Sequence, residues 1–140
     1  MKVLRSILAV VVGLIVGGAV NMALVIASPL VIPPPAGVDV SDLQSLSESM
    51  HLFEPKHFIF PFLAHALGTL VGALVAYLVA ASHKPVFAYV IGACFLLGGI
   101  AAARMIPAPT WFVVLDLVVA YVPMAFLATL LGRRVAGPKP

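Results

Sequence analysis

Four stretches of this chain, at about 7–28, 58–81, 86–106 and 110–131, run for about 20 residues each and carry only Arg104 and Asp116 as charged side chains. An apolar run of that length spans the hydrocarbon of a bilayer. With no water there to bond the backbone, it must be a helix or part of a closed barrel. Small residues recur at every fourth position in these runs, which is helical spacing. The expected fold is therefore all-α, a polytopic membrane protein with four transmembrane helices. Charged residues make up 9% of the chain, against about 25% in soluble domains, so residues 1–140 read as a single membrane domain with the lipid bilayer as its first partner. The formal charge of +3 is too small to argue for nucleic acid. The single cysteine, Cys94, allows neither an internal disulfide nor a cysteine metal cluster.

Lys2 and Arg5 ahead of an apolar run also fit a secretory signal, and Val25-Ile26-Ala27 resembles a cleavage site. The run to Ala27 is longer than the roughly 7–15 apolar residues of a signal, and Pro29 follows, so a retained first helix is expected. The external loop, 29–57, opens on Pro33, Pro34, Pro35 and Gly37, which favour a stiff, extended exit. Ser41 with Gln44 matches a capping box, and Leu43, Leu46, Met50 and Phe53 follow at helical spacing. A short amphipathic surface helix near 41–53, stopped by Pro55, is expected. Asp39, Asp42, Glu48 and Glu54 lie in this loop, whereas Lys2, Arg5, Lys84, Arg133, Arg134 and Lys139 flank the other ends of the spans. The positive-inside rule then puts both termini in the cytoplasm and the loop outside. Pro107 and Pro109 make the second external turn, with Trp111 at the headgroup boundary, and Pro123 should kink the fourth helix.

Gly13 and Gly17 in the first helix and Gly68 and Gly72 in the second form matched small-residue stripes that let two backbones approach closely, so these helices should be partners. Gly92 and Gly99 give the third helix a similar face. Three such stripes exceed the internal needs of one small bundle, so a homo-oligomer or larger membrane assembly is expected.

Asn21, His65 and Asp116 each fall about 10 Å in from the outer helix ends, and Thr69 lies one turn deeper than His65. Arg104 starts nearer the surface, but its long side chain can reach down or snorkel up. As an isolated charge is costly in lipid, Asp116 is paired with Arg104 by elimination. Asn21, His65, Thr69, Arg104 and Asp116 are thus the candidates for a ligand or proton site. Tyr121, five residues beyond Asp116, falls off its face and is included only as a neighbour of the cluster, and Tyr77 and Tyr89 read as interfacial anchors. Two functions follow. In the first, the cluster fixes helix register in a structural or accessory subunit. In the second, it serves a pH-sensitive permeation or small-ligand or lipid-binding protein, since an imidazole beside an acid can change charge near neutral pH.

His51, Glu54 and His57 are metal-ligand types spaced by threes, but Pro55 interrupts the helix that would align them, so they are weak candidates and no metal is assigned. A haem would need a second axial side chain at the depth of His65. No cofactor is expected, and with one histidine and one paired acid no enzyme is expected either. The stretches HLFEPKHFIFPFLAHALGTLVGA (51–73) and PAPTWFVVLDLVVAY (107–121) resemble those of small bacterial integral membrane proteins that carry no assigned activity. That resemblance implies a bacterial inner membrane and no particular chemistry.

Overall fold

A computed structural model describes residues 1–137; Lys139 and the rest of the short tail lie outside the described residues. Helix α1 spans Lys2–Val31, α2 Leu43–Glu48, α3 Ile59–Val79, α4 Lys84–Met105, α5 Thr110–Val119 and α6 Val122–Ala136. Short 3-10 turns occupy Met50–Leu52 and Pro55–Phe58, and no strand occurs among the described residues. Four helical segments are long and apolar enough to cross a membrane: α1, Pro55–Val79, α4, and α5 with α6.

Helix α1 is longer than its apolar run suggests, because Pro29 sits in the last turn, where few backbone bonds depend on it. The helix ends when Ile32, constrained by the proline that follows, turns extended at φ −122° and ψ 92°. The expected capping box at Ser41 and Gln44 does not form. The Ser41 amide and hydroxyl both donate to Asp39 Oδ1, at 2.9 and 2.6 Å, and Gln44 donates to Glu48. Asp42 caps α2 instead, accepting from the Ser45 amide at 2.8 Å. The Ser41 hydroxyl and amide hold the Asp39 carboxyl below the usual carboxylate range. This exposed turn is therefore favoured above the ordinary aspartate range and loosens as acid protonates Asp39. The surface helix is also shorter than 41–53: it ends at Glu48 and gives way to the two 3-10 turns. Leu46, Met50 and Phe53 still turn inward, packing with Phe58 and Phe112 over one end of the bundle.

Helices α1 and α3 pair antiparallel, with Gly13 against Gly72 and Gly17 against Gly68, and so do α4 and the α5–α6 segment, with Gly92 against Ala125 and Gly99 against Tyr121, whereas α6 runs parallel to α3, with Tyr121 beside His65 and Gly132 against Tyr77. The N-terminus and the end of α6 therefore share one side, the termini side, and residues 32–58 and 106–109 lie on the other, the loop side. The tight return between α3 and α4 places His83 in the left-handed region at φ 49°, and Pro85 occupies a first-turn position of α4 that needs no amide donor. The termini half is filled by Ala73, Ala76, Tyr77, Ala88, Ile91, Ala125 and Ala128. Tyr77 is thus a core residue and not an interfacial anchor. The face of Gly132 receives its ring, and Lys84 Nζ lies 5.7 Å from the ring centroid.

The glycine stripes are consumed inside one chain. A Cβ on Gly17 would stand 2.6 Å from the Gly68 carbonyl oxygen, and one on Gly72 2.7 Å from that of Gly13. Gly92 meets Ala125 and Gly99 meets Tyr121, so none of the six glycines is left over for a second copy. The surplus from which an oligomer was inferred does not exist. The crossing yields a sharp contrast between neighbours, because a Cβ on Gly18 would meet nothing within 4 Å. Gly17→Ala should cost about 1–3 kcal/mol by forcing the backbones apart, whereas Gly18→Ala should be neutral or stabilise by up to about 1 kcal/mol. Thermal unfolding of the two variants in one mild detergent checks the pair.

Candidate functional site

Asp116 sits on α5 six residues from Thr110, about 9 Å along the helix, and is only 5% exposed. Its partner is His65 on α3. The Nδ1 atom lies 2.9 Å from each carboxylate oxygen, so with Asp116 ionised the Nδ1–H donates across both. Tyr121 supplies the second donor, its hydroxyl reaching Asp116 Oδ2 at 2.9 Å, and its ring stacks on the imidazole with centroids 5.8 Å apart. A carboxylate with two donors in a dry interior is far less costly than a bare one.

Sequence spacing put Tyr121 off the Asp116 face and left it only as a neighbour of the cluster, and the α5–α6 junction explains why it instead bonds Asp116 directly. Pro123 cannot donate to the Val119 carbonyl. The helix stops at Val119, Tyr121 takes up φ −120° and ψ −78°, and α6 begins afresh at Val122. Five residues therefore no longer correspond to five helical steps, and Tyr121 comes back over Asp116. Gly99 on α4 leaves the space for it, since a Cβ there would fall onto the tyrosine hydroxyl.

The expected Arg104–Asp116 pair is absent. Arg104 is exposed at the loop-side end of α4, and no carboxylate lies within ion-pair distance of it among the described residues. A long cationic side chain one turn from a helix end gains more from water and headgroups than from burial. Asn21 packs against Gly68 at the α1–α3 crossing and makes no side-chain hydrogen bond with His65 or Asp116. Thr69 is fully buried, and its hydroxyl has no protein partner. The expected cluster thus resolves into a His65–Asp116–Tyr121 constellation, with Asn21 and Thr69 beside it and Arg104 outside it.

The weak metal set is also dispersed. Glu54 pairs with Lys56 at 3.2 Å, His57 Nδ1 accepts the Glu54 amide at 2.9 Å, and His51 stands exposed. Among the described residues no three histidine, cysteine, aspartate or glutamate side chains gather as a metal would require.

Above the dyad, toward the loop side, lies a cavity of about 280 Å³. Leu46, Met50 and Phe53 cover it, Ile32, Ala103 and Ile106 belong to its walls, and His65 and Asp116 are its deepest polar groups. A space that would hold about nine waters at liquid density, lined by apolar side chains and a few convergent polar atoms, has the make-up of a small-molecule site. The cavity could not be read from the sequence, because its cover exists only once residues 43–58 fold back onto α4 and α5.

Compared with known proteins, the chain matches no family model, no curated protein and no solved structure.

Two substitutions separate the satisfied from the unsatisfied hydroxyl. Tyr121→Phe should cost about 1–2 kcal/mol by removing a donor to a buried carboxylate. Thr69→Val should leave stability unchanged or raise it by up to about 1 kcal/mol, since it deletes an orphaned hydroxyl at nearly constant volume. Opposite shifts of the thermal midpoint are the expected result.

Proposed function

We propose that this chain is a small multi-pass protein of a bacterial inner membrane, termini in the cytoplasm, that binds a small and largely apolar molecule in the loop-side cavity. The observation that carries this reading is that a buried acid–imidazole pair opens into an otherwise apolar space of about 280 Å³. The hydrocarbon part of the ligand replaces water against Met50, Phe58 and Ile106, and its polar end meets His65 and Asp116. No reaction is assigned, because no hydroxyl or thiol nucleophile contacts His65 among the described residues. Binding fits better than permeation. Gly99, Asp116 and Leu117 bound the cavity at its deep end, and the packed cluster around Tyr77 and Ile91 fills the half beyond.

A structural or accessory role is the second reading, and one observation favours it: Asp116 accepts from both α3 and the α5–α6 junction, so the same bonds fasten three helices. That reading also takes the chain into a homo-oligomer or larger assembly, for which the six glycines give no support.

Fluorescence of 1-aminoanthracene, an apolar probe, distinguishes the two in protein-loaded nanodiscs measured against empty ones. The binding reading expects a saturable signal that Ala103→Phe removes by filling the cavity, with the thermal midpoint moved by only a few degrees. A wild-type signal no different from empty discs rejects it in favour of the structural reading. Orientation is checked by reporters of external and cytoplasmic location fused after Gly37 and after Gly137, which should report opposite sides; an external signal after Gly137 would refute it.

A further inference from the structure

We propose that the occupant of the cavity is a small lipophilic monocation, an amine or quaternary ammonium with a hydrocarbon body, taken up in exchange for the one proton that Asp116 and His65 share. This rests on the cavity being a binding site and adds to it the ligand's charge and its linkage to protons.

The argument is an inventory of charge around the dyad. On α3 the only titratable lining residue is His65 itself, and on α5 it is Asp116. Helix α4 presents Gly99, Ala102, Ala103 and Ile106, and α1 presents Val25, Ser28, Pro29 and Ile32, none of which titrates. At the α5–α6 junction the Tyr121 hydroxyl donates to Asp116. From the loop the only titratable lining residue is His57, while Lys56 is held by Glu54 on the exposed rim and His51 is exposed. Arg104, the one cation at this end of α4, is exposed and does not line the cavity. No fixed positive charge is therefore available to hold an anionic ligand, and no fixed positive charge neutralises Asp116.

With one proton between them, Asp116 and His65 have no net charge, whether the proton rests on the carboxylate or on the imidazole. A cation entering beside that neutral pair would leave an uncompensated charge in a low-dielectric space. Release of the shared proton restores neutrality: the N–H or O–H bond of the dyad breaks, the proton leaves to water on the loop side, and the cation remains opposite the Asp116 carboxylate. One positive charge enters and one departs, and no bond to the ligand forms. The aromatic rings of Phe53, Phe58 and Phe112 line the same space, and their faces accept an ammonium group where water is excluded.

Benzyltrimethylammonium and its uncharged carbon analogue, neopentylbenzene, have the same shape and differ in charge, so they test the proposal directly. Each is titrated against bound 1-aminoanthracene in nanodiscs from about pH 5 to about pH 9, the range around the ordinary imidazole value, and released protons are read with an indicator dye in weak buffer. The cation should displace the probe at least about tenfold more effectively than the hydrocarbon at the alkaline end. Its apparent Kd should rise about tenfold per pH unit on the acid side, with about one proton released per cation there. Asp116→Asn should erase both the preference and the proton release. Should that variant fail to fold, the wild-type comparison of the two isosteres stands alone. The pH dependence must persist in His57→Gln; its loss would assign the titration to the rim imidazole and overturn the exchange. Equal or better displacement by neopentylbenzene, a flat pH profile, or displacement by neither compound would each refute the cation inference while leaving the cavity a binding site. Absence of saturable probe binding would remove both.

Discussion

The α1–α3 crossing, backbone against backbone at Gly13–Gly72 and Gly17–Gly68, is the contact on which the rest of the bundle depends. Helices this apolar gain little from polar contacts, and for helices in a bilayer close packing of small residues has to supply the attraction. With α1 seated on one face, α3 turns its others to α4, α5 and α6 and becomes the hub of the bundle. Its sequence suits the position. Ala64, Gly68, Gly72 and Ala76 face inward with almost no side chain, while His65 is turned toward Asp116.

The second constraint is the proline break in the last span. An uninterrupted helix from Thr110 to Ala136 would carry Tyr121 away from Asp116 and leave the carboxylate with a single donor. The break at Ala120 and Tyr121 removes a backbone bond and returns a side-chain one, which is how non-helical backbone is tolerated where protein surrounds it. Gly99 completes the arrangement from α4. Three helices therefore contribute to one buried carboxylate: an imidazole, a hydroxyl, and a missing side chain.

Much of this was legible in the chain, and the failures share a cause. The four spans and the α1–α3 partnership followed from apolar run length and the spacing of Gly13, Gly17, Gly68 and Gly72, because those depend on local composition and helical period alone. His65 and Asp116 were placed in one layer correctly, since depth is also a one-dimensional quantity. The pairing of Asp116 with Arg104 failed because it matched charges by elimination and gave too little weight to the pull of water on a side chain one turn from the helix end. Tyr121 was kept only as a neighbour and not as a donor to Asp116, although Pro123 was recognised, because the face arithmetic was carried through a break that resets it. The glycine stripes from which an oligomer was expected are occupied within the chain, Gly92 and Gly99 receiving Ala125 and Tyr121, so they bear neither for nor against a second copy. Each error concerns which side chain fills which space, and that is fixed only by the assembled bundle.

An acid is an expensive way to fasten three helices. Neutral side chains bond across transmembrane helices without the desolvation penalty of a carboxylate, and well-packed apolar residues often replace buried ion pairs without loss of stability. The position of Asp116 adds to the cost, because it lies at the edge of an apolar cavity, and Thr69, one helical turn from His65, shows that even one unpaired buried hydroxyl is carried as a penalty. What a carboxylate beside an imidazole provides that neutral residues do not is a charge that can change. The fold keeps that charge within reach of the loop side and covers it with Leu46, Met50 and Phe53, a roof built from the amphipathic face of the connecting segment. A register lock requires neither cavity nor roof, and it is this cavity and roof, beside a carboxylate with two donors, that the binding proposal rests on.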